Sequence, residues 1–518
     1  MKRRESSGRT FQGACGVLTG LLLSACEPSL LMEQRFTQDP SDLGAQAGSG
    51  VQSPTSPPAQ ESPPPPQSQS PQAPSDEAPP ANGGSGGSQN TSRSWYVSMK
   101  GSDVGLGTQA LPLRTIARAT SLARAGDVIR VMAGTYSETL VLESRGSGAA
   151  PVTIRGEGTA RPTLKPANRA PGSLIFVRGN WNLENLHLDV DEAPMAAIVF
   201  HVGADGSRLA HSELRDGRAG AGIIVQGARN VTIEDNLIHH FIKPADDSHG
   251  IVVVGPSRNI TIQNNNIHHN SGDSVQCQAG SAPAETLLVQ GNELHDNGEN
   301  GVDIKQCYGV TVRDNQMYGF PNVSIRAVGS SAGEAVLISR GARDVLIQGN
   351  DISRAGRGIS VLSQEAAPRN IRLEGNTIQD IRNFPLHNGQ GIRVAGGQNV
   401  QVVDNVVERT ASYGLMLAAD GIVVNGLTVR HNRVKPSILQ PVLLRLGRES
   451  YRPGLVMREN HYGRNGALSM DGIQEKFRGA FADYHHVFIG EALPLSGPER
   501  LDVWRLLVGT EQGTDLQP

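Results

Sequence analysis

Asn230-Val-Thr-Ile-Glu-Asp-Asn236 is one copy of a seven-residue phrase that recurs along this chain of 518 residues. Further copies are Asn259–Asn265, Thr286–Asn292, Gly309–Asn315, Asp344–Asn350, Asn370–Asn376, Asn399–Asn405 and Gly426–Asn432. Successive final asparagines are 29, 27, 23, 35, 26, 29 and 27 residues apart. Each phrase alternates apolar and polar residues, which is typical of a strand with one buried face, and ends in an asparagine suited to a tight turn.

A second short strand stands between the phrases. It is seen in Gly222-Ile-Ile-Val, Gly250-Ile-Val-Val, Gly301-Val-Asp-Ile, Gly358-Ile-Ser-Val, Gly391-Ile-Arg-Val and Gly414-Leu-Met-Leu. Two or three short strands per repeat, with no segment of helix length, predict an all-β parallel solenoid whose asparagines form an internal ladder. A leucine-rich horseshoe would need a leucine consensus that the repeats do not have.

The composition excludes several classes of protein. With 61 glycines, 31 prolines, 4% aromatic and 19% charged residues, the chain is neither a coiled coil nor a helical bundle. The formal net charge of −3 argues against a general nucleic-acid binder, which needs a strongly basic face. We therefore expect no nucleic-acid partner.

The first residues have the pattern of a targeting segment. Lys2, Arg3 and Arg4 are followed by an apolar run from Phe11 to Leu23, which is too short to span a bilayer. Leu23-Ser24-Ala25-Cys26 resembles the lipobox of bacterial lipoproteins. The resemblance implies that Cys26 carries lipid and tethers the protein to a bacterial membrane outside the cytoplasm, at the outer membrane or cell surface. A plain secretory signal is the alternative.

The rest of the chain divides into three parts. Residues 27–94 are rich in Pro, Ser and Gly and predict a disordered stalk, because they cannot bury enough apolar surface to offset their ordering entropy. Residues 95–434 hold the repeats, and 435–518 form a capping or flanking segment. Near the start, Ile116, Ala119, Leu122 and Ala123 share one face of a short predicted helix that would cover the open edge of the first coil.

Two stretches before and after that helix, Tyr96–Ile116 and Val128–Tyr136, together with the asparagine repeats, resemble the right-handed parallel β-helix proteins of the pectate-lyase-like superfold. The resemblance implies a single-stranded right-handed parallel β-helix with an N-terminal capping helix. It leaves the activity open, because this scaffold carries lyases, hydrolases, epimerases and inert surface proteins.

Aligning the second strands by their glycine brings polar residues of separate coils to one face, since equivalent residues in stacked coils lie about 4.8 Å apart. The outward columns hold Gln276, Asp303, Ser360 and Arg393, and then Gln278, Lys305 and Leu362. Immediately before the strands stand His249, Asp273 and Asn300, with Asp246, Asp247 and Glu299 nearby. Three consecutive coils are thus predicted to present acids, amides and a lysine together.

This cluster has the residue types that cleavage of an acidic polysaccharide requires. Removing the proton beside a uronate carboxylate needs a base, for which Lys305 is the candidate, and a positive charge that neutralises the carboxylate. Oxygen ligands holding Ca²⁺ can supply that charge. The candidate ligands are Asp246, Asp247, Asp273, Glu299 and Asp303, and the candidate substrate-binding residues are Gln276, Gln278, Asn300, Arg393 and His249. Solvated charges on a solenoid face are the alternative.

Gly298-Glu-Asn-Gly-Val-Asp-Ile-Lys-Gln-Cys307 resembles a region of polysaccharide lyase family 6, the alginate and chondroitin lyases. The resemblance implies that Lys305 is the base and Glu299 a Ca²⁺ ligand. The family has two glutamates closely before the lysine, whereas here Glu299 stands alone with Asp303 offset. The family's catalytic arginine lies on a later coil, which implies Arg340 as its counterpart, with Arg326 as the rival. We expect a monomer that acts on an acidic polysaccharide.

Two other functions stay open at this point. Ser248-His-Gly250, Gly272–Gly280 and Asp303-Ile-Lys305 faintly resemble the motifs of polygalacturonase-type hydrolases, although their order differs. A non-catalytic adhesin would use the solenoid as a glycan-binding face. It would need aromatic platforms for sugar stacking, and Trp181 is the only tryptophan within the repeats.

Two further patterns concern histidine and cysteine. His239, His268, His295 and Tyr318 share one register after the asparagine turn, with His240, His269 and Asp296 beside them. Such a column can bind a transition metal, but stacking of turn residues is the interpretation we favour. Cys277 falls at an inward position and Cys307 beyond a strand end, so we expect two unpaired buried cysteines, with a disulfide as the alternative.

Overall fold

The computed structural model describes residues 92–145, 150–244, 246–327, 331–382, 389–419, 422–435, 442–447, 454–464, 466–471, 485–487, 490–494, 501, 504–505 and 511–517. The predicted targeting segment with Cys26, and the stalk up to residue 91, lie outside these residues. In the described part of the chain, no helix is long and apolar enough to cross a membrane.

Three long sheets run side by side along the chain, and each coil contributes one strand to each sheet in turn. Strands are numbered in chain order. Sheet 1 contains β1 (Ser94–Val97), β2 (Val128–Val131), β5 (Val152–Gly156), β8 (Trp181–Glu184), β11 (Arg208–Ala210), β14 (Thr232–Glu234), β17 (Arg258–Gln263), β20 (Glu285–Gln290), β23 (Tyr308–Arg313), β26 (Arg343–Gln348), β29 (Arg369–Glu374), β32 (Gln398–Val403), β35 (Asn425–Arg430) and β38 (Val456–Arg458).

Sheet 2 follows the asparagine turn. It contains β3 (Thr135–Ser137), β6 (Thr163–Lys165), β9 (His187–Asp189), β12 (Glu213–Arg215), β15 (Leu237–His239), β18 (Asn266–His268), β21 (Glu293–His295), β24 (Gln316–Tyr318), β27 (Asp351–Ser353), β30 (Thr377–Ile381), β33 (Val406–Thr410), β36 (Arg433–Val434), β39 (His461–Gly463) and β43 (Asp515–Gln517).

Sheet 3 carries the predicted site. It contains β4 (Leu140–Glu143), β7 (Gly172–Arg178), β10 (Met195–Phe200), β13 (Ala221–Gln226), β16 (His249–Val254), β19 (Val275–Gln278), β22 (Val302–Lys305), β25 (Glu334–Ser339), β28 (Arg357–Leu362), β31 (Ile392–Ala395), β34 (Leu415–Leu417), β37 (Val442–Leu446), β40 (Ala467–Asp471), β42 (Gly490–Pro494) and β41 (His485–Val487).

Pairing between successive coils is parallel, which confirms the predicted parallel solenoid. At the C-terminal end β42 pairs antiparallel with β40 and β41. The parallel ladders continue past Val434, the end of the last sequence repeat, through β37 to β40 and through β43.

The core is a set of apolar stacks that run the length of the solenoid. In sheet 1 the inward residues Ile233, Ile262, Val289, Val312, Ile347, Leu373 and Val402 are all fully buried. Their neighbours along each strand point outward, as the period of two predicted. Burial of each aliphatic side chain stabilises the fold by about 1.5–3 kcal/mol relative to exposure. Stacking of one coil on the next is therefore favourable along the whole solenoid.

The predicted asparagine ladder is present at the corner between sheets 1 and 2. Each side-chain amide donates to the side-chain oxygen of the next asparagine at 2.9–3.0 Å, from Asn236 through to Asn460. The backbone N–H of each asparagine donates to the same oxygen. The ladder thereby satisfies polar groups that the corner buries, since an unpaired buried donor or acceptor is costly. It ends on the buried carboxyl of Glu511, which accepts from Asn460 at 2.9 Å.

The predicted N-terminal helix is α1 (Ile116–Leu122). The Thr115 hydroxyl accepts from the backbone N–H of Arg118, and Glu138 accepts from the N–H groups of Ile116 and Ala117. Ile116 and Ala119 are buried, and the helix packs against β1 and β2. It therefore lies over the first coil, as expected.

The expectation of unpaired cysteines is wrong, because Cys277 and Cys307 form a disulfide with a Cα–Cα distance of 6.3 Å. Cys277 is an inward residue of β19, as its register predicted. Cys307 follows the end of β22, where Gln306 adopts a φ of 55° and turns the chain back toward the interior. Cys307 is consequently fully buried, and the bond joins two consecutive coils beside the predicted site.

Candidate active site on three consecutive coils

The predicted polar cluster forms on sheet 3, across β16, β19 and β22. Gln276 pairs in register with Asp303, and Gln278 with Lys305, as the glycine alignment predicted. The alignment missed β25, which pairs with β22. In that pairing Leu337 lies beside Asp303 and Ser339 lies beside Lys305. Ser360 therefore lies two coils beyond Asp303 rather than one.

Asp273 is the centre of the cluster and is fully buried. Its Oδ1 accepts from the backbone N–H of Asn300 at 3.0 Å and from the Asn300 side chain at 2.9 Å. Its Oδ2 accepts from Gln276 Nε2 at 2.9 Å. The His249 ring lies above it, with Nδ1 accepting from the Asp273 backbone N–H at 2.8 Å. These contacts hold the carboxylate in one orientation.

A loop from the longest repeat interval covers one side of the cluster. The interval of 35 residues from Asn315 to Asn350 includes Ser331, whose N–H donates to Glu299 Oε1 at 3.1 Å and whose hydroxyl donates to Asn300 Oδ1 at 2.7 Å. Glu299 and Asn300 precede β22, so the loop fixes both residues against the strand. The unusually long spacing between these two asparagines is thus the feature of the sequence that indicates an additional loop at the site.

Lys305 lies at the exposed edge of the cluster, with its Nζ 3.0 Å from Asp303 Oδ2. Its side chain is 23% exposed, whereas that of Asp303 is 3% exposed. Burial acts to lower the pKa of Lys305, but Asp303, Asp273 and Glu299 outweigh it and raise that pKa above its usual value. Lys305 is therefore an ammonium ion at neutral pH in this state.

The surrounding carboxyl groups have divergent pKa values. Burial, together with repulsion from Asp273, raises the pKa of Glu299 well above its usual value, and burial raises the pKa of Asp303 to about 6. Burial also raises the pKa of Asp247. Asp273 is the exception: burial alone would raise its pKa, but the neighbouring His249, the charge of Lys305 and the hydrogen bond from Gln276 hold it below the usual value.

Three side chains of the cluster offer ligand atoms to a metal ion. These atoms of His249, Asp273 and Glu299 lie within 4.8 Å of one another, and all three residues are buried. Oδ1 of Asp303 and Oδ1 of Asp247 are buried oxygens without a hydrogen-bond partner. Raised carboxyl pKa values and unpartnered oxygens both indicate a group that is short of positive charge.

Of the remaining predicted site residues, three lie outside the group around Asp273, and Arg326 lies in the loop that covers it. Asp246 pairs with Lys243, and Arg393 is three coils from Asp303, or about 14 Å at the usual coil spacing. Arg340 follows Ser339 at a φ of 51° and its Nε lies 3.4 Å from Glu365. Arg326 donates to the Ser331 carbonyl at 3.2 Å, and its Cα approaches Gly298 too closely for a side chain there. Gln278 adjoins Lys305 in register.

Sequence inspection missed a second buried charge pair on the next two coils. Glu334 is almost fully buried, and its Oε1 accepts from Arg357 Nη1 at 2.5 Å. Arg357 also donates to Gln390 Oε1 at 2.9 Å. Oε2 of Glu334 is buried without a partner. Ala335 occupies the place of the repeat glycine, so the glycine alignment passed over this coil, although Val336 and Ile338 keep its alternation.

The histidine column stacks as the favoured interpretation expected. Ring centroids of His239, His268, His295 and Tyr318 succeed one another at 5.0, 4.9 and 4.8 Å with interplanar angles of 12–28°. His240 and His269 form a second stack at 5.4 Å. Burial and the neighbouring imidazoles lower the pKa of His268 to about 3, so this ring is neutral at physiological pH.

Comparison with known proteins agrees with this architecture. A family model described as a right handed beta helix region matches residues 194–317 and 250–434. The chain contains a right-handed β-helix. A second model, described as a protein of unknown function (DUF1565), matches residues 99–143 of the same β-helix.

Individual relatives are distant. The β-helix is similar to a PL6 family alginate lyase, AlyGC, with 14% identity and a TM-score of 0.52 over 74% of this chain and 54% of that one. It is also similar to the catalytic unit of a GH87 alpha-1,3-glucanase from Streptomyces thermodiastaticus, with 16% identity and a TM-score of 0.48 over 69% and 65%. These identities establish a shared fold alone.

One sequence relative is the uncharacterized protein YwoF of Bacillus subtilis (strain 168), which is 31% identical over 126 residues. That match covers 22% of this chain and 26% of the relative. The chain thus spans about a quarter of the relative's length.

Proposed function

We propose that this β-helix acts on an acidic, uronate-containing polysaccharide and cleaves it by cation-assisted β-elimination. The observation that carries the proposal is the position of Lys305, which lies at the open edge of a buried group of carboxylates and is paired with Asp303 at 3.0 Å. Elimination next to a carboxylate requires a proton-transfer group and a positive charge that neutralises the carboxylate, and here a lysine lies beside carboxylates that can hold a cation. The shared fold with AlyGC, a PL6 family alginate lyase, is consistent with it.

The charge balance explains why a cation belongs in this reaction. The carboxyl groups of Asp247, Asp273, Glu299 and Asp303 surround Lys305, so a polymer carboxylate would be repelled when they are ionised. The donor set fits a divalent cation, because Asp273 and Glu299 provide carboxylate oxygens within 4.8 Å of one another. When bound there, Ca²⁺ supplies the positive charge that neutralises the uronate carboxylate.

Lys305 is the proposed base, although the neighbouring carboxylates favour its protonated form. Asp303, Asp273 and Glu299 raise its pKa, so Lys305 holds its proton while all three carboxylates face it. It becomes a base only when Asp273 and Glu299 have another positive partner, which couples proton abstraction to an occupied site. Asp273 is held in position by Gln276, Asn300 and His249. In this proposal these three residues orient the carboxylate and take no direct part in proton transfer.

The first test exposes the purified protein to alginate, pectate and chondroitin sulfate, with Ca²⁺ or with a chelator. We expect an increase in ultraviolet absorbance from the unsaturated uronate product on one of these polymers, and its loss with chelator. New reducing ends without that absorbance would instead establish hydrolysis. Inactivity in both assays on all three polymers would refute the elimination proposal for these substrates.

Hydrolysis is the second candidate, and one observation favours it. The pKa of Asp273 is lowered and that of Asp303 is raised to about 6, so one carboxyl is charged and the other protonated in mildly acidic solution. Two carboxyls with opposed protonation states are the base and acid that glycoside hydrolysis uses. Asp303 is also in direct contact with Lys305, which could bind the substrate carboxylate in that case.

A glycan-binding role without catalysis has less support. Trp95, Trp181 and Trp504 are all buried, and the Trp181 indole donates to the Glu143 carbonyl at 3.0 Å. None of the three tryptophans therefore offers a ring face to a sugar.

We further propose that the β-helix works outside the cytoplasm from a lipid anchor on Cys26. The support is the basic segment followed by Leu23-Ser24-Ala25-Cys26 and the Cys277–Cys307 disulfide, which an oxidising compartment permits. Fractionation of the native producing cell is expected to place the protein in the membrane pellet, and Cys26→Ser is expected to move it to the soluble fraction. A soluble wild-type protein would contradict the anchor.

A further inference from the structure

Three consecutive coils of sheet 2 each present two metal-ligating atoms at chelating distance, on a different sheet from the candidate active site. The Nδ1 atoms of His239 and His240 are 2.6 Å apart, and those of His268 and His269 are 2.9 Å apart. On the third coil His295 Nδ1 lies 2.9 Å from Asp296 Oδ2. These three pairs are called the chelating pairs below.

The turn after each strand explains why adjacent side chains meet. In a regular strand residues i and i+1 point to opposite faces. His240, His269 and Asp296 instead have φ values of 58°, 54° and 51°, and this left-handed conformation swings the second side chain back beside the first. Stacking between coils then holds the first ring of each pair in place.

The flanking coils use the same turn differently. Before the chelating pairs, Arg215 and Asp216 form an ion pair at 3.1 Å. After them, the turn is Tyr318 followed by Gly319, and the Tyr318 ring closes the stack against His295. The chelating pairs are thus bounded on both sides by coils whose turns hold an ion pair or an aromatic ring.

Neighbouring acceptors orient two of the rings. His295 Nε2 faces Asn266 Oδ1 at 3.1 Å, and Asn266 Nδ2 donates to Glu293 Oε2 at 2.8 Å, so the amide orientation is determined. His239 Nε2 lies 3.5 Å from Glu213 Oε1. Nε2 of His295 therefore donates to Asn266, and Nε2 of His239 points at Glu213. In the metal-free protein Nδ1 of each ring shares a hydrogen with the second member of its pair, and this hydrogen is released when a metal ion takes its place. A carboxylate or amide that orients an imidazole in this way is characteristic of metal ligands.

The spacing selects the kind of metal ion. Two donors about 2.0–2.1 Å from a metal stand about 2.9 Å apart at a right angle and about 3.3 Å apart at a tetrahedral angle. The separations of 2.9 Å in two of the pairs match the right angle, which square-planar Cu²⁺ and Ni²⁺ prefer, and the 2.6 Å of the His239–His240 pair requires a small outward movement. We propose that the chelating pairs form a surface site for a transition-metal ion of the Cu²⁺ or Ni²⁺ type, with water completing its coordination.

Occupation of all three pairs together is opposed by charge. Successive rings stand about 5 Å apart, so ions on adjacent coils would repel each other strongly. The first ion is therefore expected to bind more tightly than any further ion. The site is independent of the proposed polysaccharide chemistry, because its strands belong to sheet 2 and those of the cluster around Asp273 to sheet 3.

The test titrates Cu²⁺ alone into the full chain after chelator treatment, followed by calorimetry and electron paramagnetic resonance. The key variant is His240→Asn combined with His269→Asn, which removes one nitrogen from each His–His pair, keeps the stacked column, and places asparagine where a left-handed φ is tolerated. We expect nitrogen coupling in the wild-type spectrum and an affinity at least about tenfold weaker in the double variant.

His211→Asn is the matched control, because His211 is also a turn histidine with a φ of 51°, but its Nδ1 faces Asp235 at 3.8 Å rather than another imidazole. It should bind Cu²⁺ like the wild type. Unchanged affinity in the double variant, a spectrum without nitrogen coupling, or an equal loss of affinity in His211→Asn would each overturn the proposal. Circular dichroism verifies that the variants remain folded.

Discussion

Replacing Lys305 with alanine is expected to lower kcat/KM for the cleaved polysaccharide by about 10²–10⁴-fold, the range that a positioned proton-transfer group contributes. The same change removes the ion-pair partner of the buried Asp303. An unpaired buried carboxylate costs several kcal/mol unless it takes up a proton, so a loss of activity has to be separated from a loss of folding. Initial rates and thermal unfolding should be measured on the same preparation.

Lys305→Arg makes that separation. Arginine keeps the positive charge beside Asp303 but does not give up its proton near neutral pH. If Lys305 is the base, this variant is folded and about as inactive as the alanine variant. If Lys305 only binds the substrate carboxylate, the arginine variant keeps much of the activity, and the base assignment is wrong. Lys165→Ala, which removes a lysine paired with Asp189 and Asp191 on sheet 2, should keep wild-type rates.

Replacing Asn292 with alanine is expected to lower the free energy of unfolding by about 2–4 kcal/mol. Asn292 Oδ1 accepts from the Asn265 backbone N–H and from the Asn265 side chain, at 2.9 and 3.0 Å. Its Nδ2 donates to the Ile262 carbonyl and to Asn315 Oδ1. Alanine makes none of these bonds, and the Asn265 N–H is left buried without its partner. Urea denaturation monitored by circular dichroism measures the loss.

Asn259 provides the control for that substitution. It is also the asparagine of a repeat phrase, but it is exposed, and its amide donates to Asn230 at the surface. Asn259→Gly suits the φ of 56° and should cost less than about 1 kcal/mol, because water replaces the lost bond. Equal losses for Asn292 and Asn259 would show that the internal ladder contributes nothing beyond a turn preference.

Much of the fold and part of the site could be predicted because a solenoid repeats its local pattern. Alternation in each phrase identified the inward residues, and the terminal asparagine identified the ladder. The glycine register correctly placed Gln276 beside Asp303 and Gln278 beside Lys305. The prediction failed at β25, because Ala335 occupies the position of the repeat glycine. An alignment that depends on that glycine alone could not detect the coil that carries Glu334.

The amino-acid sequence by itself determined the parallel solenoid, its asparagine ladder and the face on which the acidic cluster lies, since all three depend on the local period of two and a recurring turn. Only the tertiary structure decided which side chains meet at the corners. There, left-handed residues such as Gln306 and His269 redirect a side chain, which pairs Cys307 with Cys277 and brings His269 against His268. Partners such as Ser331 for Glu299 come from a loop of irregular length. Such contacts depend on backbone geometry between coils, which no repeat pattern encodes.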